Sequence, residues 1–228
     1  ADVVLTVNKE TEELLKTSKF YKDGSCFNIS DSALPVQFEN NEYINRVPKD
    51  ELRILWVGRL LPRRGIELSL KALSFLPKEM KYKFVIIGDG EQGENIPDWI
   101  SKYNLNVDKI EHLGWIPYAQ MHEEYRKADV MLFCPLRDTA GLQATEAMGF
   151  SLPIITMNIS GMRTIVSHEC GVKIDPTTTE GTPKDIAKAI EKLYNDIDFR
   201  QKAAKAAYKR AMKYTWEYKI NEVVSRFY

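Results

Sequence analysis

Short apolar runs recur along the chain from residue 52 and are separated by segments with helical periodicity. The runs lie at 52–57, 82–87, 110–116, 130–134, 152–156 and 171–174. Continuously apolar strands are typical of a parallel sheet that is covered on both faces. Their regular alternation with helices predicts an α/β fold, a doubly wound and mostly parallel Rossmann-like sheet spanning residues 52–176.

The segments that precede this sheet are predicted to belong to a separate part of the chain. Residues 1–7 resemble a strand, 9–19 a helix and 25–34 a second extended piece, followed by a polar linker at 39–50. We therefore predict a boundary between residues 1–50 and 51–228. Helices are predicted at 183–195 and 197–213, and a last apolar stripe runs from Trp216 to Phe227 at helical spacing.

Composition excludes several classes of protein. Lys plus Arg and Asp plus Glu both number 32, so the chain has no net positive charge that would favour nucleic-acid binding. No apolar run reaches membrane-spanning length, and the first residues do not resemble a signal peptide. The three cysteines form no Cys-x-x-Cys pair, which predicts no disulfide framework and no zinc site. A reducing, cytoplasmic compartment is expected, with peripheral contact to the inner face of a membrane as an open alternative.

The segment between the runs at 130–134 and 152–156 concentrates the expected chemistry. Asp138 or Thr139 can cap a short helix there, which would leave the amides of Ala140, Gly141 and Leu142 free to bind an anion. Glu146 follows on the same helix. Its carboxylate either binds vicinal hydroxyls of a sugar or is a solvated side chain, and composition alone does not separate these two interpretations.

This segment resembles the signature of the retaining, glycogen-synthase-like glycosyltransferases of family four (group 1). The family pattern is an acid, seven residues and then Glu-Ala-Met, and the chain has Asp138 followed by Glu146-Ala147-Met148. It departs from the pattern in two places: Asp138 replaces the usual Glu, and Ala140 replaces an aromatic residue.

Two further loops extend the resemblance. The basic turn 58–65 is similar to the family loop whose cations bind the diphosphate, which implies that role for Arg59 and Arg64 beside Gly58. The Gly88-Asp89-Gly90 turn is similar to the loop that lines the nucleotide cleft, although a tight turn explains its glycines equally well.

The resemblance implies that the chain is the C-terminal, donor-binding half of a two-domain GT-B enzyme, preceded by the end of a truncated first domain. Such an enzyme moves a hexose from a nucleotide diphosphate sugar to an acceptor with retention, without a metal or other cofactor. Glu146 would hold the ribose and Asp138 would orient the sugar, while Arg59, Arg64 and the amides of residues 140–142 would stabilise the leaving diphosphate.

The same resemblance places a sugar or lipid-linked acceptor on the absent domain and points to polysaccharide biosynthesis. It also implies that the isolated chain transfers no sugar. Two alternatives stay open: a GT-B sugar epimerase or phosphorylase, and a non-catalytic nucleotide-sugar-binding protein or partner subunit.

Overall fold

A six-stranded parallel sheet forms the centre of the computed structural model, which describes residues 3–19, 21–29, 33–34, 42–47 and 49–227. Eight strands occur in these residues: β1 Val4–Thr6, β2 Cys26–Asn28, β3 Leu52–Val57, β4 Tyr82–Ile87, β5 Ile110–Gly114, β6 Val130–Leu132, β7 Ile154–Met157 and β8 Gly171–Ile174. The large sheet has the order β5-β4-β3-β6-β7-β8, with every pairing parallel. The predicted doubly wound α/β fold is therefore confirmed.

Helices connect the strands and cover both faces of the sheet. Those of the described chain are α1 Lys9–Lys16, α2 Ile66–Leu73, α3 Ile96–Lys102, α4 Tyr118–Lys127, α5 Leu142–Gly149, α6 Ser160–Ile165, α7 Gly181–Asn195, α8 Ile197–Ala211 and α9 Trp216–Phe227. A short 3₁₀ turn at Pro62–Arg64 precedes α2. The central strands have almost no exposed residues, because both of their faces are covered.

Several element boundaries differ from the predicted ones. The helix predicted at 9–19 ends at Lys16, and the strands predicted at 110–116 and 130–134 end at Gly114 and Leu132. The strand predicted at 152–156 is shifted to Ile154–Met157. Apolar residues continue past the strand ends because the loops at this edge are themselves buried: Phe133 and Cys134 are fully buried although they follow β6.

The N-terminal residues form a small unit of their own. β1 and β2 pair in parallel, and α1 connects them. The Ser160 amide donates to the Glu10 carboxylate at 2.7 Å, and the Lys9 amide donates to the Thr164 hydroxyl at 3.3 Å. These bonds attach α1 to α6. The extended piece predicted at 25–34 is a strand only at Cys26–Asn28, and residues 30–32 lie outside the described residues.

Arg46 fixes the segment that leads into the sheet. Residues 42–47 have no regular secondary structure, and residues 39–41 and 48 of the predicted linker lie outside the described residues. The Arg46 guanidinium donates to carbonyls that end two helices: Tyr125, Arg126 and Ala128 at the end of α4, and Phe150 and Ser151 after α5. Burial lowers the pKa of Arg46 to about 10, so the guanidinium is charged at neutral pH. A cation at helix C-termini is favoured by the helix dipole, so Arg46 joins α4 to α5.

The last helix carries an uncovered apolar stripe. Trp216, Ile220 and Val224 are spaced four residues apart on α9 and are 47%, 57% and 50% exposed. At the other end of the helix, the Phe227 ring packs edge-on against Phe27 with centroids 4.9 Å apart. Among the described residues, no helix is long and apolar enough to cross a membrane.

Candidate functional site

The topology places several loops at one position. Counted from β3, the strand order is 3-2-1-4-5-6, so the chain changes winding direction between β3 and β6. Open α/β sheets bind ligands at the carboxyl edge of this switch point. The loop after β3 contacts the loop after β6 directly, because the Leu136 amide donates to the Arg63 carbonyl at 2.8 Å.

A cleft of about 660 Å³ opens at this edge. Its walls come from the loops after β3, β4 and β5 and from the first turns of α4 and α5. The lining residues are Val57, Gly58, Arg59, Ile87, Gly88, Asp89, Gly90, Trp115, Ile116, Tyr118, Met121 and Gln143. Four predicted site residues, Gly58, Arg59, Gly88 and Asp89, therefore lie in one cavity, and the Arg59 side chain is exposed.

Close backbone packing forms the floor of the cleft. Gly88 has φ +134°, and a Cβ at this position would overlap the Gly58 carbonyl oxygen. The Gly58 amide donates to the Ile87 carbonyl at 3.0 Å, and the Leu60 amide donates to the Asp89 carbonyl at 2.9 Å. The Gly88 conformation is thus required by the approach of two loops, and it also keeps the floor free of side chains.

The Asp138 carboxylate is occupied within the protein. It is buried, its Oδ2 forms an ion pair with Nη1 of Arg64, and its Oδ1 accepts the amides of Ala140 at 3.1 Å and Gly141 at 2.8 Å. The prediction that Asp138 or Thr139 caps the helix, with these amides free, is therefore wrong. The residue that caps α5 is Gly141 at φ +55°, because the chain turns left-handed after the Asp138 turn.

The loop around Arg64 concentrates positive charge. Burial lowers the pKa of the partly buried Arg64, and the nearby cations Arg63 and Arg59 lower it further. A ligand anion near this loop would relieve that repulsion.

Leu142, the third residue whose amide was predicted to bind an anion, is the first residue of α5.

Glu146 lies on α5 against α4, and its Oε2 accepts the Tyr125 hydroxyl at 3.1 Å. Burial raises the pKa of the Glu146 carboxyl, and hydrogen bonds from Tyr125 and Tyr118 oppose that rise. The carboxylate is partly buried and hydrogen-bonded, so the alternative of a fully solvated side chain is wrong.

A second, smaller cavity of about 270 Å³ lies beside the Asp138 loop. Residues of that loop and of α1 line it, including Asp138, Thr139, Arg137 and Glu10. This cavity shares no lining residue with the main cleft and faces the N-terminal unit.

Sequence reasoning missed the side chains of the opposite wall. Trp115 is 73% exposed and lines the cleft together with Tyr118 and Gln143. Trp115 falls inside the strand predicted at 110–116, and its exposure, which would have been the signal, is visible only in the structure. Tyr125, which holds Glu146, had no such signal because it is buried in α4. Among the described residues, no group of three or more His, Cys, Asp and Glu could hold a metal ion.

The fold is an α/β domain of the doubly wound class, with a cleft and a cationic loop at its switch point. Residues 37–210 match the family described as Glycosyl transferases group 1, and the chain belongs to this family.

Curated relatives span a longer sequence than this chain. An uncharacterized glycosyltransferase of Methanocaldococcus jannaschii is 28% identical over 238 residues, covering 95% of this chain and 60% of its own length. A D-inositol 3-phosphate glycosyltransferase of Paenarthrobacter aurescens is 27% identical, covering 75% of this chain and 42% of its own length. The chain thus spans about half the length of the relatives it matches.

Solved structures share the fold. Sucrose-phosphate synthase from Thermosynechococcus elongatus superposes with a TM-score of 0.78 at 22% identity, over 100% of this chain and 58% of its own. A pneumococcal O-GlcNAc transferase, solved in complex with UDP and GlcNAc, gives 0.77 at 18% identity, over 99% of this chain and 44% of its own.

Proposed function

We propose that this chain is the donor-binding half of a retaining GT-B glycosyltransferase of family four, which transfers a hexose from a nucleotide diphosphate sugar. The observation that carries the proposal is the cleft of about 660 Å³ at the switch point, with Arg59 exposed in its wall. Membership of the group 1 family and the UDP complex of a protein with the same fold support it.

Arg59 has the primary role in binding the diphosphate. It is the exposed cation of the cleft, and among the described residues no carboxylate lies within ion-pair distance of it. Its planar guanidinium can donate two parallel charge-assisted hydrogen bonds to phosphate oxygens. Transfer breaks the bond between the sugar C1 and the diphosphate, and Arg59 stabilises the negative charge that then develops.

Arg64 and Asp138 are direct partners of each other. Their ion pair, and the bonds from Asp138 to two amides, hold the loop before α5 in one conformation beside Arg63. In the proposal, Arg64 adds positive potential behind the diphosphate, while Asp138 borders the sugar from the smaller cavity that it lines.

Glu146 is assigned to the ribose. It sits one helical turn after Gln143, which lines the cleft, and Tyr125 orients its carboxylate. A carboxylate offers about four acceptor sites on its two oxygens, so Glu146 can accept both ribose hydroxyls beside its hydrogen bonds from Tyr125 and Tyr118. The raised pKa of Glu146 reflects burial, which a pair of donor hydroxyls would offset.

The acceptor and the rest of the reaction are assigned to a preceding domain. The chain spans about half of its relatives' length, and its N-terminal unit has a two-stranded parallel sheet, an arrangement that usually continues into a larger covered sheet. We propose that a sugar or lipid-linked acceptor binds there, in polysaccharide biosynthesis, and that the isolated chain transfers no sugar.

Calorimetric titration with UDP, GDP, ADP and pyrophosphate tests this assignment. Arg59→Ala removes a charge-assisted contact worth about 1.5–3 kcal/mol and should weaken every ligand roughly ten- to a hundredfold. Glu146→Gln turns one acceptor into a donor, so it should weaken the three nucleotides and leave pyrophosphate unchanged. Arg63→Ala is the matched control, because Arg63 is an exposed cation of the same loop that does not line the cleft.

Three outcomes would refute parts of the proposal. Equal losses of ligand affinity in Arg59→Ala and Arg63→Ala would show that Arg59 contributes only nonspecific positive charge. Unchanged nucleotide binding in Glu146→Gln would remove the ribose assignment. Sugar transfer by the isolated chain, free of contaminating enzyme, would refute its assignment as a donor-binding half.

A further inference from the structure

A second concentration of positive charge lies away from the cleft. A cavity of about 430 Å³ opens between α1, α6, α8 and β8, and it shares no lining residue with the cleft. Four cationic side chains line it: Lys9, Arg163, Lys173 and Arg210. The carboxylate in its wall is the exposed Glu169, so cations outnumber anions there.

Two of these cations, Lys173 and Arg210, are held by backbone carbonyls. The Lys173 ammonium donates to the Arg163 carbonyl at 2.9 Å, and the Arg210 guanidinium donates to the carbonyls of Thr164 and Ile165. Among the described residues, no carboxylate lies within ion-pair distance of Lys9, Lys173 or Arg210, and Arg163 has only Glu13 at 3.8 Å. The bonds to carbonyls fix Lys173 and Arg210 in place without neutralising them.

The electrostatics of Lys173 agree with this geometry. Its pKa is lowered, first by burial and then by Arg210, Lys9 and Arg163, while Asp175 acts in the opposite direction. The cations are therefore close enough to repel one another. An anion in the cavity would replace this repulsion with attraction, and a doubly charged one would do so most effectively.

We propose that this cavity binds a phosphate group as a second anion site, distinct from the cleft. Phosphate fits the charge excess, and a cavity that combines arginine with lysine offers both planar and point-charge donors to its oxygens. Residues from the N-terminal unit and from the large sheet both line the cavity, so the bound phosphate ties α1 to α6, α8 and β8.

Titration calorimetry of the whole chain with inorganic phosphate and with glycerol 3-phosphate, at constant ionic strength in chloride, tests the site. Lys173→Met should weaken phosphate roughly ten- to a hundredfold, and Arg163→Gln provides a second variant should Lys173→Met unfold. Lys173→Arg should retain binding. Lys205→Met is the matched control, since Lys205 is an exposed lysine on α8 outside this cavity.

The two ligands distinguish a free phosphate from a phosphate ester. Equal affinities indicate free phosphate, and a preference for glycerol 3-phosphate indicates an esterified ligand; both support the site. Binding that survives Lys173→Met and Arg163→Gln in folded protein, or that Arg59→Ala removes, would overturn it, as would absence of phosphate binding. Since nucleotide affinity is measured separately through Arg59→Ala, failure of this site leaves the cleft assignment intact.

Discussion

Replacement of Arg46 by Ala should destabilise the domain strongly, although Arg46 lies outside the sheet and the cleft. Its side chain is partly buried and donates to five carbonyls that lie in the last turn of α4 or directly after α4 and α5. The carbonyl groups at a helix C-terminus have no partner within the helix, so the loss of Arg46 leaves several of them without a donor. It also removes a charge that interacts favourably with two helix dipoles.

The magnitude follows from these contacts. A buried polar group left without its partner costs about 1–3 kcal/mol, and water entering the vacated space restores part of that. We therefore expect a loss of about 3 kcal/mol in the free energy of unfolding. For a chain of this size, that corresponds to a fall in Tm of roughly 6–12 °C.

Thermal unfolding followed by circular dichroism and calorimetry measures the effect. Arg226→Ala is the control, because Arg226 forms an exposed pair with Glu222 on α9, worth under about 0.5 kcal/mol. Arg46→Lys should fall between the two, since an ammonium cannot reach all five carbonyls. An Arg46→Ala protein as stable as Arg226→Ala would refute the role of Arg46 as the connection between α4 and α5.

Two further predictions concern Glu146 and Gly88. Because burial raises the pKa of Glu146, its contribution to stability is fully present below the unfolded-state pKa and is lost as pH rises through the folded-state pKa. The Tm of Glu146→Gln relative to the wild type should therefore rise as pH increases from about 4 to 7.5. The exposed control Glu79→Gln should show a smaller rise over this range, and an equal rise would contradict the argument. Gly88→Ala should cost about 2–4 kcal/mol in urea unfolding, because it combines strain at positive φ with overlap at Gly58. The control Gly114→Ala, which has positive φ but open space, should cost about 1–2 kcal/mol, and equal costs would remove the argument from loop packing.

The strands could be predicted because their signal is local. An apolar run bounded by turn residues can be recognised within about six or seven residues. Three of the six strands of the large sheet have the predicted bounds. Once parallel alternation is established, topology brings all the carboxyl-edge loops together, which is why Arg59 and Gly88 could be placed in one site.

Interactions between distant segments had no such signal. Arg46 contacts carbonyls about 80 to 105 residues further along the chain. Every residue has a backbone carbonyl, so the sequence does not show which of them a distant arginine will contact. The ion pair of Asp138 with Arg64 was missed for a related reason. Both residues fit a ligand-binding pattern, and only the folded distance shows that they bind each other.

The packing of Gly58 on Gly88 determines where this cleft can change during evolution. The floor is backbone that any added side chain would displace, so its sequence is constrained whatever ligand is bound. The wall formed by Trp115, Tyr118 and Gln143 can be exchanged without reshaping that floor. Inherited differences in ligand preference should therefore accumulate at these three positions, and libraries for redesigned specificity should begin there.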